Sequence, residues 1–202
     1  RPEYLMTRAD QTLQALDRAG SRIDEALQRL TVAEVADKVT ARDVGLVMAR
    51  LELSHRLIDE AEGLAAELGT DGRLIAMQLS DVTSGFQGVT ALLHSDYGID
   101  GERVAALSDD DLHDDAAMAK AMRLTTQGNP DAPVRPKGIR QAHGLPRVPA
   151  AAAEALAAHF DGLPDMFAAS QRDLAGIPGI GVRLARQIRE GLTALAELAY
   201  DR

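Results

Sequence analysis

The sequence predicts an all-α protein: an elongated helical spine or bundle followed by a small C-terminal domain of paired helical hairpins. Three observations support this. Apolar residues recur at three- and four-residue spacings, while no segment sustains the period-two alternation of a strand and the β-branched residues are scattered. Hydroxyl and carboxylate residues stand at the spacing that satisfies free amides at helix starts. Between residues 123 and 140 the pattern gives way to an aperiodic run rich in proline, glycine and polar residues, the composition of a domain boundary.

The elements follow in order. Over residues 8–30, Leu13, Leu16, Ile23, Leu27 and Leu30 form one narrow apolar seam, with Gly20 in the seat that breaks the row. Thr31-Val-Ala-Glu34 and Thr40-Ala-Arg-Asp43 each read as a helix start. The second begins a long helix that ends at the turn-forming Gly69-Thr-Asp-Gly72. Another helix starts near Arg73 with Leu74, Ile75, Met77 and Leu79, is interrupted at Ser84-Gly-Phe-Gln-Gly88, and resumes over 89–93. Ser108 then caps a last short helix running through Met118 and Met122. The expected divisions are a spine helix at 1–30, a helical linker bundle at 31–126, a linker at 127–138 and a hairpin domain at 139–202.

Composition narrows the function. With no cysteine among 202 residues, disulfide scaffolds and thiolate metal sites are excluded. Three Phe, three Tyr and no Trp cannot supply the stacking platforms of single-strand readers. The apolar runs are too short and interrupted to cross a bilayer, so a cytoplasmic, nucleoid-associated protein without membrane contact is expected. The net charge of −9 argues at first against nucleic acid, but it is unevenly distributed: residues 1–134 carry −11, whereas residues 135–202 carry +2. One copy should therefore bind DNA weakly and with strong salt sensitivity. The histidines at 55, 94, 113, 143 and 159 make no metal-ligand pair at helical spacing, and Asp109, Asp110 and Asp111 read better as helix-start carboxylates than as a cation site.

The most informative stretch is Leu174-Ala-Gly-Ile-Pro-Gly-Ile-Gly-Val-Arg-Leu-Ala-Arg-Gln-Ile-Arg189. Ser170 starts a short helix, residues 176–181 make a tight turn, and Val182 opens a second helix with Leu184, Ala185, Ile188 and Leu192 inward. Pro178 fixes one φ, and Gly179 and Gly181 permit conformations and close approaches that a Cβ obstructs. Turn amides and the free N–H groups of the next helix then converge on one place, which favours an anion. The stretch resembles a helix-hairpin-helix motif, in which such a turn grips a DNA phosphate and reads no base. A Gly-rich dinucleotide loop is disfavoured because it must follow a strand; a glycine-capped turn without ligand is the plain alternative. Upstream, Gly144-Leu-Pro-Arg-Val-Pro149 and its alanine-rich sequel repeat the outline, with Arg147 and Pro149 in place of Gly179 and Gly181. Pro149 has no N–H, so this copy is degenerate, with Arg147 compensating through its side chain. Candidate phosphate contacts are Ile177, Gly179, Ile180, Gly181, Val182, Arg183, Arg186 and Arg189 in the second copy, Arg147 in the first, and Lys137 and Arg140 ahead of it.

Beyond this motif, Arg8-Ala-Asp-Gln-Thr-Leu-Gln-Ala-Leu-Asp-Arg18, Thr40-Ala-Arg-Asp-Val44, Arg50-Leu-Glu-Leu53, Glu67-Leu-Gly-Thr-Asp-Gly-Arg-Leu74, Leu107-Ser-Asp-Asp-Asp-Leu112 and the closing run 185–197 resemble the DisA family of DNA integrity scanning proteins, which are bacterial diadenylate cyclases. The resemblance covers nearly all of the chain. It implies a spine followed by a tandem helix-hairpin-helix domain, similar to one in the junction protein RuvA, that binds duplex and branched DNA such as Holliday junctions. It also implies a cyclase domain that makes cyclic di-AMP from two ATP with Mg or Mn inside an octamer. The cyclase motifs Asp-Gly-Ala and Arg-His-Arg are absent: Asp71-Gly-Arg73 falls in a turn and Ser54-His-Arg56 inside a helix. The chain is therefore expected to be non-catalytic and cofactor-free, a piece of a longer chain or a stand-alone relative, self-associating, and octameric only with the cyclase domain. The competing reading is an oligomerisation or protein-interaction module that does not touch DNA.

Overall fold

The computed structural model describes residues 1–86 and 88–200. Among them are helices and short 3-10 turns but no strands, the one β-type contact being an isolated bridge between Thr40 and Pro133.

Helix α1 (Pro2–Val35) and helix α2 (Ala41–Leu68) form the frame. They run antiparallel, since Arg1 meets Glu67, Arg8 meets Glu60 and Arg50 reaches the Arg22 carbonyl, partners falling as their mates rise. The apolar seam of α1 is the inner face: Leu13, Leu16, Ile23 and Leu30 are buried, and Gly20 lies beside the Phe86 ring, where an added Cβ would be in ordinary van der Waals contact. Thr40 caps α2 with a full capping box, its hydroxyl taking the Asp43 amide while the Asp43 carboxylate takes the Thr40 amide. A 3-10 turn at Gly69–Gly72 leads into α3 (Arg73–Thr83), which buries Ile75 and Leu79 but leaves Leu74 and Met77 exposed.

Two expectations about this region are corrected. Thr31-Val-Ala-Glu34 begins no helix, because α1 continues through it to Val35; both side chains serve instead as acceptors for a later segment. The helix expected from Ser108 to Met122 is two. Ser108 caps the single turn α6 (Asp109–Leu112), and the Asp114 carboxylate caps α7 (Asp115–Met122) by accepting from the Ala116 and Ala117 amides. Before them stand α4 (Val89–Tyr97) and α5 (Gly101–Ala105), the latter capped by Asp100 and too short to carry a visible period.

The apolar interior forms three clusters. One joins Leu13, Leu16, Ala61, Ile75 and Leu79 of α1, α2 and α3; a second gathers Ile23, Leu30, Leu51, Leu93, Met118 and Met122; the third lies wholly within residues 142–192. The segment between the second and third clusters lies along the α1–α2 corner, where the Arg42 and Val134 amides donate to the Pro130 and Val39 carbonyls and Arg135 pairs with Asp37.

Candidate nucleic-acid interface

Two helical hairpins build the last unit. The first is α8 (Ile139–His143) and α9 (Ala150–His159); the second is α11 (Gln171–Ala175) and α12 (Val182–Glu197), and α10 (Leu163–Ala168) joins them. Their turns share one hydrogen-bond ladder. The Gly176 amide donates to the Arg172 and Asp173 carbonyls, Ile177 to Leu174, Ile180 to Ile177 and Ala185 to Gly181. Thirty-two positions earlier, Gly144 donates to Arg140 and Gln141, Leu145 to Ala142, Val148 to Leu145 and Ala153 to Pro149. The buried side chains repeat at the same interval, with Leu145, Ala153 and Leu156 matching Ile177, Ala185 and Ile188.

In the second hairpin, Ser170 and Asp173 form a capping box, and the Ser170 amide and hydroxyl hold the Asp173 carboxyl below the usual carboxylate range. Ile177 and Ile180 are buried, so their side chains anchor the turn and present only backbone. Gly179 has φ +89°, a conformation that strains any residue with a Cβ. Gly181 differs: its φ of −80° and ψ of 174° suit any residue, and a Cβ there would meet nothing within 4 Å. The chain's own packing thus gives no reason for glycine at 181. Among the described residues the amides of 179 and 181 donate to no internal acceptor, and those of 182, 183 and 184 open α12 without a side-chain cap. These donors stand at the positive end of a 16-residue helix, an arrangement that favours an anion. Val182 and Arg183 are exposed beside it, and Arg183 has no ion-pair partner among the described residues. Arg186 is exposed one turn on, in an exposed pair with Glu190.

The first turn keeps the shape and loses the donors. Arg147 occupies the Gly179 position at φ +60°, retaining the left-handed conformation despite its side chain, and Pro149 removes the amide at the Gly181 position. What this turn offers an anion is the exposed Arg147 side chain.

The structure removes two residues from the candidate set. Arg189 turns inward and donates from Nη1 to the carbonyls of Phe167 at 3.0 Å and Ala169 at 2.6 Å, closing the end of α10. Arg140 is 13% exposed and pairs with the fully buried Glu34 carboxylate of α1. Both guanidinium groups are drawn to intramolecular acceptors and away from the 179–184 turn, Arg140 by the Glu34 carboxylate and Arg189 by the carbonyls at the end of α10. Lys137 is exposed, with its amide donating to the Asp96 carbonyl, so it belongs to the connection between the units.

That connection is the feature the sequence reading missed. The buried Glu34 carboxylate receives Gln141 Nε2 at 3.0 Å, the Tyr97 hydroxyl at 2.8 Å and the Arg140 guanidinium. Asp96 takes the Ile139 amide at 2.6 Å and the Arg140 amide at 3.3 Å, capping α8 from α4. Burial, reinforced by the nearby Glu34 charge, pushes the Asp96 carboxyl up to about 6 against the pull of those two amides. Burial beside Glu34 raises the Tyr97 phenol as well, keeping it a neutral donor. The hairpin unit is thus seated on the spine by a hydrogen-bonded polar knot. Glu34 at the end of an otherwise apolar seam was the only sequence signal for it.

Comparison with known proteins gives these elements relatives. A family model described as the DisA bacterial checkpoint controller linker region matches residues 1–129, and one described as a helix-hairpin-helix motif matches residues 140–196. Proteins named DNA integrity scanning protein DisA are similar along almost the whole chain. Those of Acidothermus cellulolyticus and Kineococcus radiotolerans are each 38% identical, over 97% and 96% of this chain and 56% and 57% of their own length. That of Streptomyces avermitilis is 38% identical over 96% of this chain and 55% of its own. The chain therefore spans a little over half the length of these relatives. With its linker region and its helix-hairpin-helix unit both matched, the chain belongs to the DisA family.

Proposed function

We propose that this chain is the DNA-sensing part of a DisA-type protein and binds DNA through the sugar-phosphate backbone without reading bases. The observation that carries the reading is the 179–184 turn, where unpartnered amides surround a glycine whose missing Cβ the chain's own packing does not require. A phosphate oxygen approaching Gly181 fills that place, with Arg183 and Arg186 supplying side-chain charge. The amides address no base edge, so the contact is independent of sequence.

The first hairpin adds the Arg147 side chain as a second, weaker hold on the other backbone. Each unit offers few cations, so one copy binds weakly, and branched DNA gains when several copies are arrayed by self-association. Synthesis of cyclic di-AMP from ATP with Mg or Mn is assigned, by the same reading, to the portion of the longer relatives outside this chain. Among the described residues no three His, Asp or Glu side chains converge as metal ligands. No described helix is long and apolar enough to cross a membrane.

Gel shifts of a duplex and a four-way junction over a salt series test this. Arg183→Glu is expected to reduce junction binding at least about tenfold, because it places a carboxylate where a phosphate is held. Arg183→Ala should lower the slope of log affinity against log salt by about 1. Unchanged binding in Arg183→Glu rejects the site; equal affinity of an isolated copy and an assembled longer relative rejects the multivalent part.

A further inference from the structure

The spine holds a second concentration of arginine, away from the hairpins. A groove of about 550 Å³ between α1 and α2 is lined by Arg18 and Arg22 from one helix and Arg50 and Arg56 from the other, over a floor of Ala15, Ala19, Leu53 and Leu57. Its two acidic residues are already engaged: Glu60 pairs with Arg8 and Asp109 with Arg56. Arg56 is further spent on the Leu107 and Ala105 carbonyls. Arg50 is steered into the groove by one N–H donated to the Arg22 carbonyl at 2.7 Å, which leaves most of its fork unused.

Arg18, Arg22 and Arg50 make no ion pair among the described residues, although the spine carries a large excess of carboxylates. Arg18 and Arg22 are one helical turn apart, a like-charge spacing that destabilises a helix. A third guanidinium facing them adds to that cost, and a bound anion reverses it.

We propose that this groove is a binding site for a small molecule carrying a di- or triphosphate group, gripped by Arg18, Arg22 and Arg50. The volume suits a nucleotide-sized ligand. The Leu and Ala floor can take an apolar or planar moiety, but among the described residues no aromatic ring or amide side chain lines the groove to select one base over another. A DNA duplex is disfavoured. Its long polyanion would lie across a region with net charge −11, whereas a small phosphate inside the groove sees mainly guanidinium groups within a Debye length of about 8 Å.

Isothermal titration of the full chain with ATP, GTP and inorganic triphosphate tests the proposal. Three proteins are compared: the wild type, the Arg18→Gln/Arg22→Gln variant, whose changes lie on an exposed helix face, and Arg183→Glu at the hairpin. Binding to the wild type and to Arg183→Glu, weakened at least about tenfold in the double variant, supports it. ATP and GTP should then agree within about threefold. Nucleotides binding much tighter than triphosphate assign a nucleotide ligand; equal affinity assigns the bare phosphate chain. No binding to the wild type overturns the proposal, as does binding that survives in the double variant or is lost in Arg183→Glu. Loss in Arg183→Glu would move the phosphate to the hairpin turn; the other outcomes leave DNA capture there untouched.

Discussion

Arg183 and Arg189 stand six residues apart on one helix and do different work. Arg189 bridges carbonyls at the end of α10, so Arg189→Ala strands acceptors that its guanidinium satisfied. A loss of about 1–3 kcal/mol in chemical denaturation is expected, with DNA affinity of the folded protein little changed. Arg183 is exposed, and Arg183→Ala should leave stability within about 0.5 kcal/mol while weakening DNA binding. If both variants lose stability and affinity together, the separation drawn between them is wrong. The sequence could not make this distinction, since both are arginines spaced along the same motif. Only the position of α10 decides which guanidinium has carbonyls to bind.

At the level of elements, the second hairpin was legible because its signals are local: proline fixes one dihedral, glycine supplies a positive φ, and Ser170 with Asp173 caps the preceding turn. The pairing of the two hairpins was legible too, down to the equivalence of Arg147 with Gly179. The end of α1 was misread because a hydroxyl followed three residues later by a carboxylate looks the same whether it starts a helix or faces a partner 106 residues away. The division at residue 113 was hidden because four- and five-residue helices are too short to display a period.

The capping of α8 by Asp96 gives a pH prediction at this scale. Asp96 is raised from 3.8 to about 6, so the proton is held more tightly in the folded state. Its favourable contribution is complete below about pH 4 and is lost as pH rises through about 6, a change of about 3 kcal/mol by linkage. Asp96→Asn removes this titration. The stability difference, wild type minus variant, should therefore fall between pH 4 and pH 7; a difference independent of pH would contradict the burial of this carboxyl.

For the molecule as a whole, the acidic spine and the slightly basic hairpin unit are joined where Glu34 meets Arg140, Gln141 and Tyr97. This knot gives any signal from bound DNA a physical route into α1. Glu34→Gln leaves the largely buried Arg140 without its counter-charge, which is expected to cost about 3–5 kcal/mol and to loosen the seat. Hydrogen exchange should rise first in α8 and the end of α1, with the core of α12 still protected. Uniform loss of protection would mean that the two units unfold as one and that the knot is not a separate seat between them.

If bare backbone at Gly181 holds the DNA, Gly181→Ala is the substitution that reveals it. The added methyl meets nothing in the protein and the backbone there suits alanine, so stability should hold steady or rise by up to about 1 kcal/mol. Affinity for a four-way junction, measured by fluorescence anisotropy at fixed salt, should fall at least about tenfold, because the methyl occupies the approach of the phosphate. A stably folded Gly181→Ala protein that binds the junction as tightly as the wild type would mean that the phosphate is held elsewhere.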